Sequence, residues 1–314
     1  MTHRFVDDPR HLASAPVVAG TDGSDAARTA VLWAAEMAWA RGRELRIVYG
    51  LDLDRARRVF NPYDISEPAV LDRLRAHGAA LVARESLAVR QVLPELRVIT
   101  EVSSEHGARI LLRYSATAYL VALGAHGAGG FGAHIGSVPL TVTGRAEGPV
   151  VVVRTAADAT APRAEGPVVV GVDGGPLSEA AVAAAFEEAC ERGAELVAVH
   201  AWSDVTFGDF AGDPYTWFPP ARIERNEEAL LAERLAGRQE QYPGVVVRRH
   251  IAIADPAPHL QQWSDRAQLI VVGSHGRGGF RGMLLGSVPN SLVQHANCPV
   301  MVVRATTSDD HTAV

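Results

Sequence analysis

The residues with the clearest chemical potential are glycines. Gly273, Gly276 and Gly286, the last followed by Ser287 and Val288, lie between an apolar run at 269–272 and a helical pattern through Leu292, Val293 and His295. A strand that feeds a glycine loop, and a loop that feeds a helix, offers bare backbone N–H groups to an anion. Glycine lets the chain come close, and the first amides of a helix have no carbonyl one turn back to bond. The helix dipole adds roughly 0.3–1 kcal/mol toward an exposed anion, and the Ser287 hydroxyl is one more donor. Arg277 and Arg281 lie inside the loop, where each would clamp a phosphate or stand in solvent. A second stretch ends in an acid: the apolar run at 168–172 leads to Asp173. A carboxylate there repels phosphate but accepts hydrogen bonds from sugar hydroxyls, as an acidic residue does in dinucleotide folds. The alternative role for Asp173 is a turn cap.

Both features recur in the first half of the chain. Thr21 and Asp22 close the run at 17–19, and Gly124, Gly127, Gly136, Ser137 and Val138 follow the run at 120–123. The copies are unequal. Nine residues separate Gly276 from Gly286, but eight separate Gly127 from Gly136, and Ala128 stands where the other copy has Arg277. One residue is about 3.5 Å of reach, so anion binding by the first copy is left open. His126 and His275 occupy matching positions, yet no third ligand or paired base accompanies either. An orienting or exposed histidine is the expectation.

Composition removes several alternatives. All 30 basic side chains are arginine, so no Walker lysine, Schiff-base lysine or Ser-Lys dyad exists. The net charge of −6 gives no overall basic field for nucleic acid or an anionic membrane. No apolar run approaches the ~20 residues of a membrane span. The N-terminus has no apolar segment of the signal-peptide kind. Cys190 and Cys298 form no zinc or redox spacing and read as two small buried hydrophobes of a protein in a reducing cytosol. Gly-x-Ser-x-Gly elbows and placed carboxylate pairs are absent.

The elements that must position these residues alternate strand and helix twice, with a period of about 150 residues. Each repeat reads βαβαβαβαβ, which implies a parallel sheet covered on both faces with right-handed crossovers. Ligands of such sheets sit beyond the carboxyl ends of the strands where strand order reverses. If strands 1 and 4 are neighbours there, each Asp faces its own glycine loop. A helix over 68–92 is expected to bury Leu71, Leu74, Leu81, Val82 and Leu87. Ser104 is expected to cap the next helix, and a strand is expected over 245–251. The domain plan is a flexible start over 1–14, a first domain over 15–154, a linker over 155–165, a second domain over 166–304 and a flexible tail over 305–314.

With these residues in view, the chain resembles the universal stress protein family in its tandem form. The resemblance covers about 17–153 and 168–303. The family's nucleotide-binding members carry Gly, two residues, Gly, nine residues, Gly, then Ser or Thr. Gly273, Gly276, Gly286 and Ser287 match that pattern, and Gly171-Val172-Asp173-Gly174 looks like the family's first strand. The resemblance implies two doubly wound, five-stranded parallel α/β domains related by a pseudo-two-fold, each an open αβα sandwich that binds an adenine nucleotide. It implies ATP as ligand, with Mg held through phosphates and water and not by side chains. The implied site is Val172, Asp173, Val199 beside the base, Gly273, His275, Gly276, Arg277, Gly286, Ser287 and Val288. Thr21, Asp22, Gly124, Gly127, Gly136, Ser137 and Val138 form the second candidate set. The implied role is a cytoplasmic stress or signalling protein, not a dedicated enzyme, with an unidentified protein partner. Domains of this family pair, so the strands at 150–153 and 300–303 are expected to pair within the chain and two chains to form a homodimer. A slow ATPase and a nucleotide-free dimerisation module are the alternatives.

Overall fold

A computed structural model describes residues 14–53, 68–127, 135–173, 175–202, 220–276 and 284–304. The chain divides into two compact units, the boundary falling between Arg154 and Thr155. Unit 1 contains β1 (Val17–Gly20), α1 (Asp25–Ala40), β2 (Leu45–Gly50), α2 (Pro68–Val92), β3 (Val98–Ser103), α3 (Gly107–Ser115), β4 (Leu120–Gly124), α4 (Ser137–Arg145) and β5 (Val150–Val153). Unit 2 repeats the series with β6 (Val168–Gly171), α5 (Pro176–Glu191), β7 (Leu196–Trp202), α6 (Pro220–Gln241), β8 (Val247–Ile253), α7 (Pro256–Trp263), β9 (Leu269–Gly273), α8 (Ser287–His295) and β10 (Val300–Val303).

In unit 1 the strands lie in the order β3-β2-β1-β4-β5, and in unit 2 in the order β8-β7-β6-β9-β10. Pairing within each unit is parallel. Order reverses between β1 and β4, with Val17 level with Leu120, and between β6 and β9, with Val168 level with Leu269. In unit 1, α1 and α2 pack together on one face and α3 and α4 on the other. The central strands are buried on both faces, which is why β1, β4 and β5 read as unbroken apolar runs and not as alternation. Gly42 and Gly193 follow α1 and α5 with φ of 59° and 58°. These are left-handed stops that glycine takes without a Cβ clash.

Four local expectations are corrected. In α2 the buried stripe is Gly78, Val82, Glu85, Ser86 and Val89, and Leu87 is exposed. A polar residue, Glu85, takes the core-facing position that apolar periodicity assigns to leucine. Helix α3 is capped by His106, whose Nδ1 accepts from the Ala108 N–H at 3.1 Å. The turn after β3, where Ser103 Oγ accepts from the Glu105 N–H, delays the helix past Ser104. Strand β8 is displaced to 247–253. Cys298 is buried but Cys190 is exposed, lying off the core stripe of α5 that Ala181, Ala185, Phe186 and Ala189 form.

Glu85 also reveals an inverted ion pair. Its side chain is fully buried and accepts from Arg28 Nε at 3.1 Å and Arg84 Nη2 at 2.8 Å, tying α2 to α1. At the corresponding positions of unit 2 the charges are exchanged: Arg234 on α6 donates to Glu179 on α5 at 2.6 Å, with Glu179 62% exposed. Burial sets the value of such a pair, because a solvated pair is screened and a buried carboxylate loses its donors without recourse to water. Chemical denaturation is expected to show Arg28→Ala, which leaves the buried Glu85 carboxylate short of a donor, losing roughly 1–3 kcal/mol. Arg234→Ala is expected to lose no more than about 1 kcal/mol. Equal losses would show that burial is not what separates them.

Candidate functional site

In unit 2 the reversal of strand order opens a cleft between β6 and β9. Beyond β6, the Val172 N–H donates to the Val199 carbonyl at 2.9 Å and extends the ladder by one residue. Asp173 then turns the chain. Its Oδ1 accepts from the Gly175 N–H at 2.8 Å. Its Oδ2 faces the glycine loop, only 3.0 Å from where a Cβ on Gly276 would stand. One carboxylate oxygen therefore makes the turn, and the other looks across the cleft. Turn cap and site residue are compatible roles.

The two ends of the glycine loop are joined by a hydrogen bond from the Gly286 N–H to the Ser274 carbonyl at 2.9 Å. Gly286 is the N-cap of α8 and brings no side chain to cap it. Ser287 and Val288 are the first two residues of the helix, and Pro289 has no N–H. The Asn290 N–H is already bonded to the Gly286 carbonyl at 3.0 Å. The helix thus presents the Ser287 and Val288 amides, with the positive end of its dipole, to whatever lies in front.

These parts enclose a cavity of about 480 Å³. Val172, Asp173, Val199, Gly273, His275, Gly276, Gly286, Ser287 and Val288 all line it, so the structure brings nine of the residues expected for this unit together. Arg277, the tenth, lies outside the described residues, as do Arg281 and Gly174. Sequence reasoning missed Ser178, Ala201, Pro256, Leu260, Val272 and Pro289. Ala201 had a signal, since it is two residues beyond Val199 and so on the same face of β7. Pro256 and Leu260 had none, because only the packing of α7 against the sheet carries them to the cleft.

Three histidines brace the walls. His200 is buried, and its Nδ1 donates to the Val172 carbonyl at 2.6 Å, while Nε2 lies 3.1 Å from Glu227 Oε2 on α6. A carbonyl only accepts, so Nδ1 must hold the proton. The second brace is a pair. His250, level with Val199 in the sheet, meets His259 of α7 with their Nε2 atoms 3.0 Å apart. Their ring centroids are 5.1 Å apart with planes at 4°, and the Nε2 separation is that of a hydrogen bond. Trp263 stands edge-on to His250, with Arg266 over its indole. His259 precedes Leu260 of the cavity wall. Burial, then His250 and Arg266, lower its basicity.

Unit 1 carries the same frame. Thr21 is buried and its N–H donates to the Val48 carbonyl at 3.0 Å. Asp22 Oδ1 accepts from the N–H and hydroxyl of Ser24 at 3.0 and 2.6 Å. Asp22 Oδ2 faces Gly127. The loop closes on the same bond, Gly136 N–H to the Ala125 carbonyl at 3.0 Å, and Gly136 is a bare N-cap before Ser137, Val138 and Pro139. The missing residue therefore does not move the anchors. Gly124 lies flush against the α1 backbone, where a Cβ would come within 2.6 Å of Ala26. His126 is held below the ordinary histidine range by burial and then by Arg154.

A model of the Universal stress protein family matches residues 15–154 and again 166–304. A universal stress protein of Mycolicibacterium smegmatis is 40% identical over 298 residues, covering 92% of this chain and 96% of the relative. Universal stress protein Rv2005c of Mycobacterium tuberculosis is 40% identical over 299 residues with the same coverage. Among solved structures, a universal stress protein from Archaeoglobus fulgidus superposes with a TM-score of 0.62 at 18% identity, covering 92% of this chain and 96% of its own, a likeness of fold.

The histidine pair yields a pH prediction. Because the folded state holds His259 below the ordinary histidine value near 6.5, it binds fewer protons than the unfolded chain as pH falls past that value. The stability held through His259 is therefore full above about pH 6.5 and lost on acidification. Melting curves between pH 7 and 5 are expected to fall less steeply for His259→Leu, which approximates the isoleucine found at the same place in unit 1. Parallel curves would mean His259 does not carry this pH dependence.

Proposed function

This chain belongs to the universal stress protein family, and on that premise we propose that it binds ATP with a divalent metal in the cleft of unit 2. The bound nucleotide would serve stress response or signalling. The observation that carries this reading is one cavity whose lining combines apolar side chains, a carboxylate and the first amides of a helix. Val199, Ala201, Leu260 and Val272 make an apolar wall suited to a flat base. In the same lining the Ser287 and Val288 amides and the Ser287 hydroxyl suit phosphate oxygens. Asp173 Oδ2, which faces Gly276 of the loop, would accept from ribose hydroxyls. A lone apolar pocket or a lone helix terminus would not combine these.

Among the described residues no group of three His, Cys, Asp or Glu could hold a metal ion. A hard cation such as Mg would fit here through phosphate oxygens and water, which is how Mg commonly accompanies nucleotides. The metal would neutralise phosphate charge. The described lining supplies one carboxylate, Asp173, and one imidazole, His275, so a second carboxylate to act as general base is not among it. Binding, not turnover, is the reading this favours. Occupancy would change the surface of the loop between Gly276 and Gly286 and so alter what a partner meets.

Equilibrium dialysis of the purified chain with labelled ATP and Mg tests the proposal. Saturable binding is expected, and absence of binding with metal present would overturn it. Gly276→Val fills the gap opposite Asp173 and is expected to weaken binding at least about tenfold, or ~1.4 kcal/mol. Asp173→Asn keeps the turn but loses the charged acceptor, with an expected loss of similar size.

A further inference from the structure

The two units share their anchors but differ at the inner end of the cleft, where the wall is apolar. In unit 2 this end is bounded by Ala201 at the end of β7, Pro256 and Leu260 of α7, and Val272 of β9. The sheet registers align Gly50 with Ala201, since Leu45 and Leu196 pair level with Val98 and Val247 in their own sheets. The difference is one methyl group, and it decides what stands there. A Cβ on Gly50 would lie 2.6 Å from the Gly107 nitrogen, 2.7 Å from the Glu105 carbonyl oxygen and 2.7 Å from the Gly107 Cα. The backbone entering α3 has therefore moved onto the end of β2, into the space that the methyl of Ala201 faces in unit 2. Real Cβ atoms essentially never come that close to backbone, so a side chain at position 50 would force the backbone over 105–107 to shift.

A second position closes the cleft from the other side. Leu123 of unit 1 takes the place of Val272. A Cβ on Gly20 would meet Leu123 Cδ2 at 2.8 Å and Leu111 Cδ1 at 2.9 Å. The matching glycine of unit 2, Gly171, is less crowded, with Leu260 Cδ1 at 3.0 Å and Val272 Cγ1 at 3.2 Å. The longer leucine carries one more carbon toward β1. At the loop the same trend appears, with Asp22 Oδ2 2.7 Å from a Cβ on Gly127 against 3.0 Å for Asp173 and Gly276.

We infer that the base end of the unit 1 cleft is closed by its own backbone at Gly50 and by Leu123, so that the chain takes one nucleotide, in unit 2. This rests on the nucleotide reading above for the ligand, but the closure itself is a property of the empty protein. Gly50 against Ala201 and Leu123 against Val272 are the specificity-determining positions. The shorter glycine loop is not, since it closes on the same hydrogen bond in both units.

Two measurements on the full chain test it. Titration calorimetry with Mg-ATP is expected to give one nucleotide per chain, and no site of native affinity in Gly276→Val. Two per chain, or a full site surviving in Gly276→Val, would overturn the inference. Without ligand, Gly50→Ala is expected to lower the melting temperature by about 4 °C or more, since its Cβ has no room. Ala201→Val, pointing into open cavity, is expected to stay within about 1 °C of the native chain. An unchanged melt for Gly50→Ala would mean the end is open and would overturn the closure. No nucleotide bound to the native chain would overturn the function proposed above, and the melting pair would still decide the closure.

Discussion

The approach of a carboxylate to a glycine across the strand reversal is the contact on which each unit depends. With β1 beside β4, the chain leaves one strand toward each face, and the two departing loops part to leave a cleft. Asp22 and Asp173 hold one side of it by an internal turn bond, and the glycine loops come up to them from the other. A side chain at Gly127 or Gly276 would meet the carboxylate at 2.7 or 3.0 Å. Glycine is required there by the neighbour's position, not by a left-handed backbone, since neither residue has a positive φ. The helix that follows inherits its direction from the same loop, through the bond that Gly136 or Gly286 makes back to the strand end.

Duplication turns one half of this protein into a control for the other. The frame is held in common: strand order, Asp turn, loop closure and a glycine N-cap before Ser-Val-Pro. What differs lies where side chains of a few carbons meet backbone. The exchanged pair, Arg28 with Glu85 and Glu179 with Arg234, shows how an interaction survives inversion when each partner remains opposite the other. Buried Glu85 shows a limit of this equivalence, because its carboxylate is enclosed while its counterpart pair meets solvent. The closed inner end of unit 1 is a second departure of the same kind, produced by one missing methyl and one added carbon.

Much of the fold was legible in the order of residues. Repeating apolar runs and helical spacings gave every strand and helix that frames the clefts, and the glycine spacings with Asp22 and Asp173 marked both. Local misreadings have local causes. Leu87 looked inward by period, but Glu85 and its arginines claimed that face. Ser104 had the better capping side chain, but the turn at Ser103 placed His106 at the helix start. Cys190 fell just off the buried stripe of α5.

The residues that could meet an anion, and the two-fold repetition that places them, were determined by the sequence alone, because strand, loop and helix are contiguous and their geometry is short-ranged. Tertiary structure decided the rest of the site. Pro256 and Leu260 reach the cleft only because α7 crosses the sheet beside β7, and the His250–His259 bond behind them joins residues of separate elements. Whether a cleft is open at its inner end turns on gaps of a few tenths of an ångström between elements far apart in the chain. Close packing sets such gaps, and no spacing within a single segment encodes them.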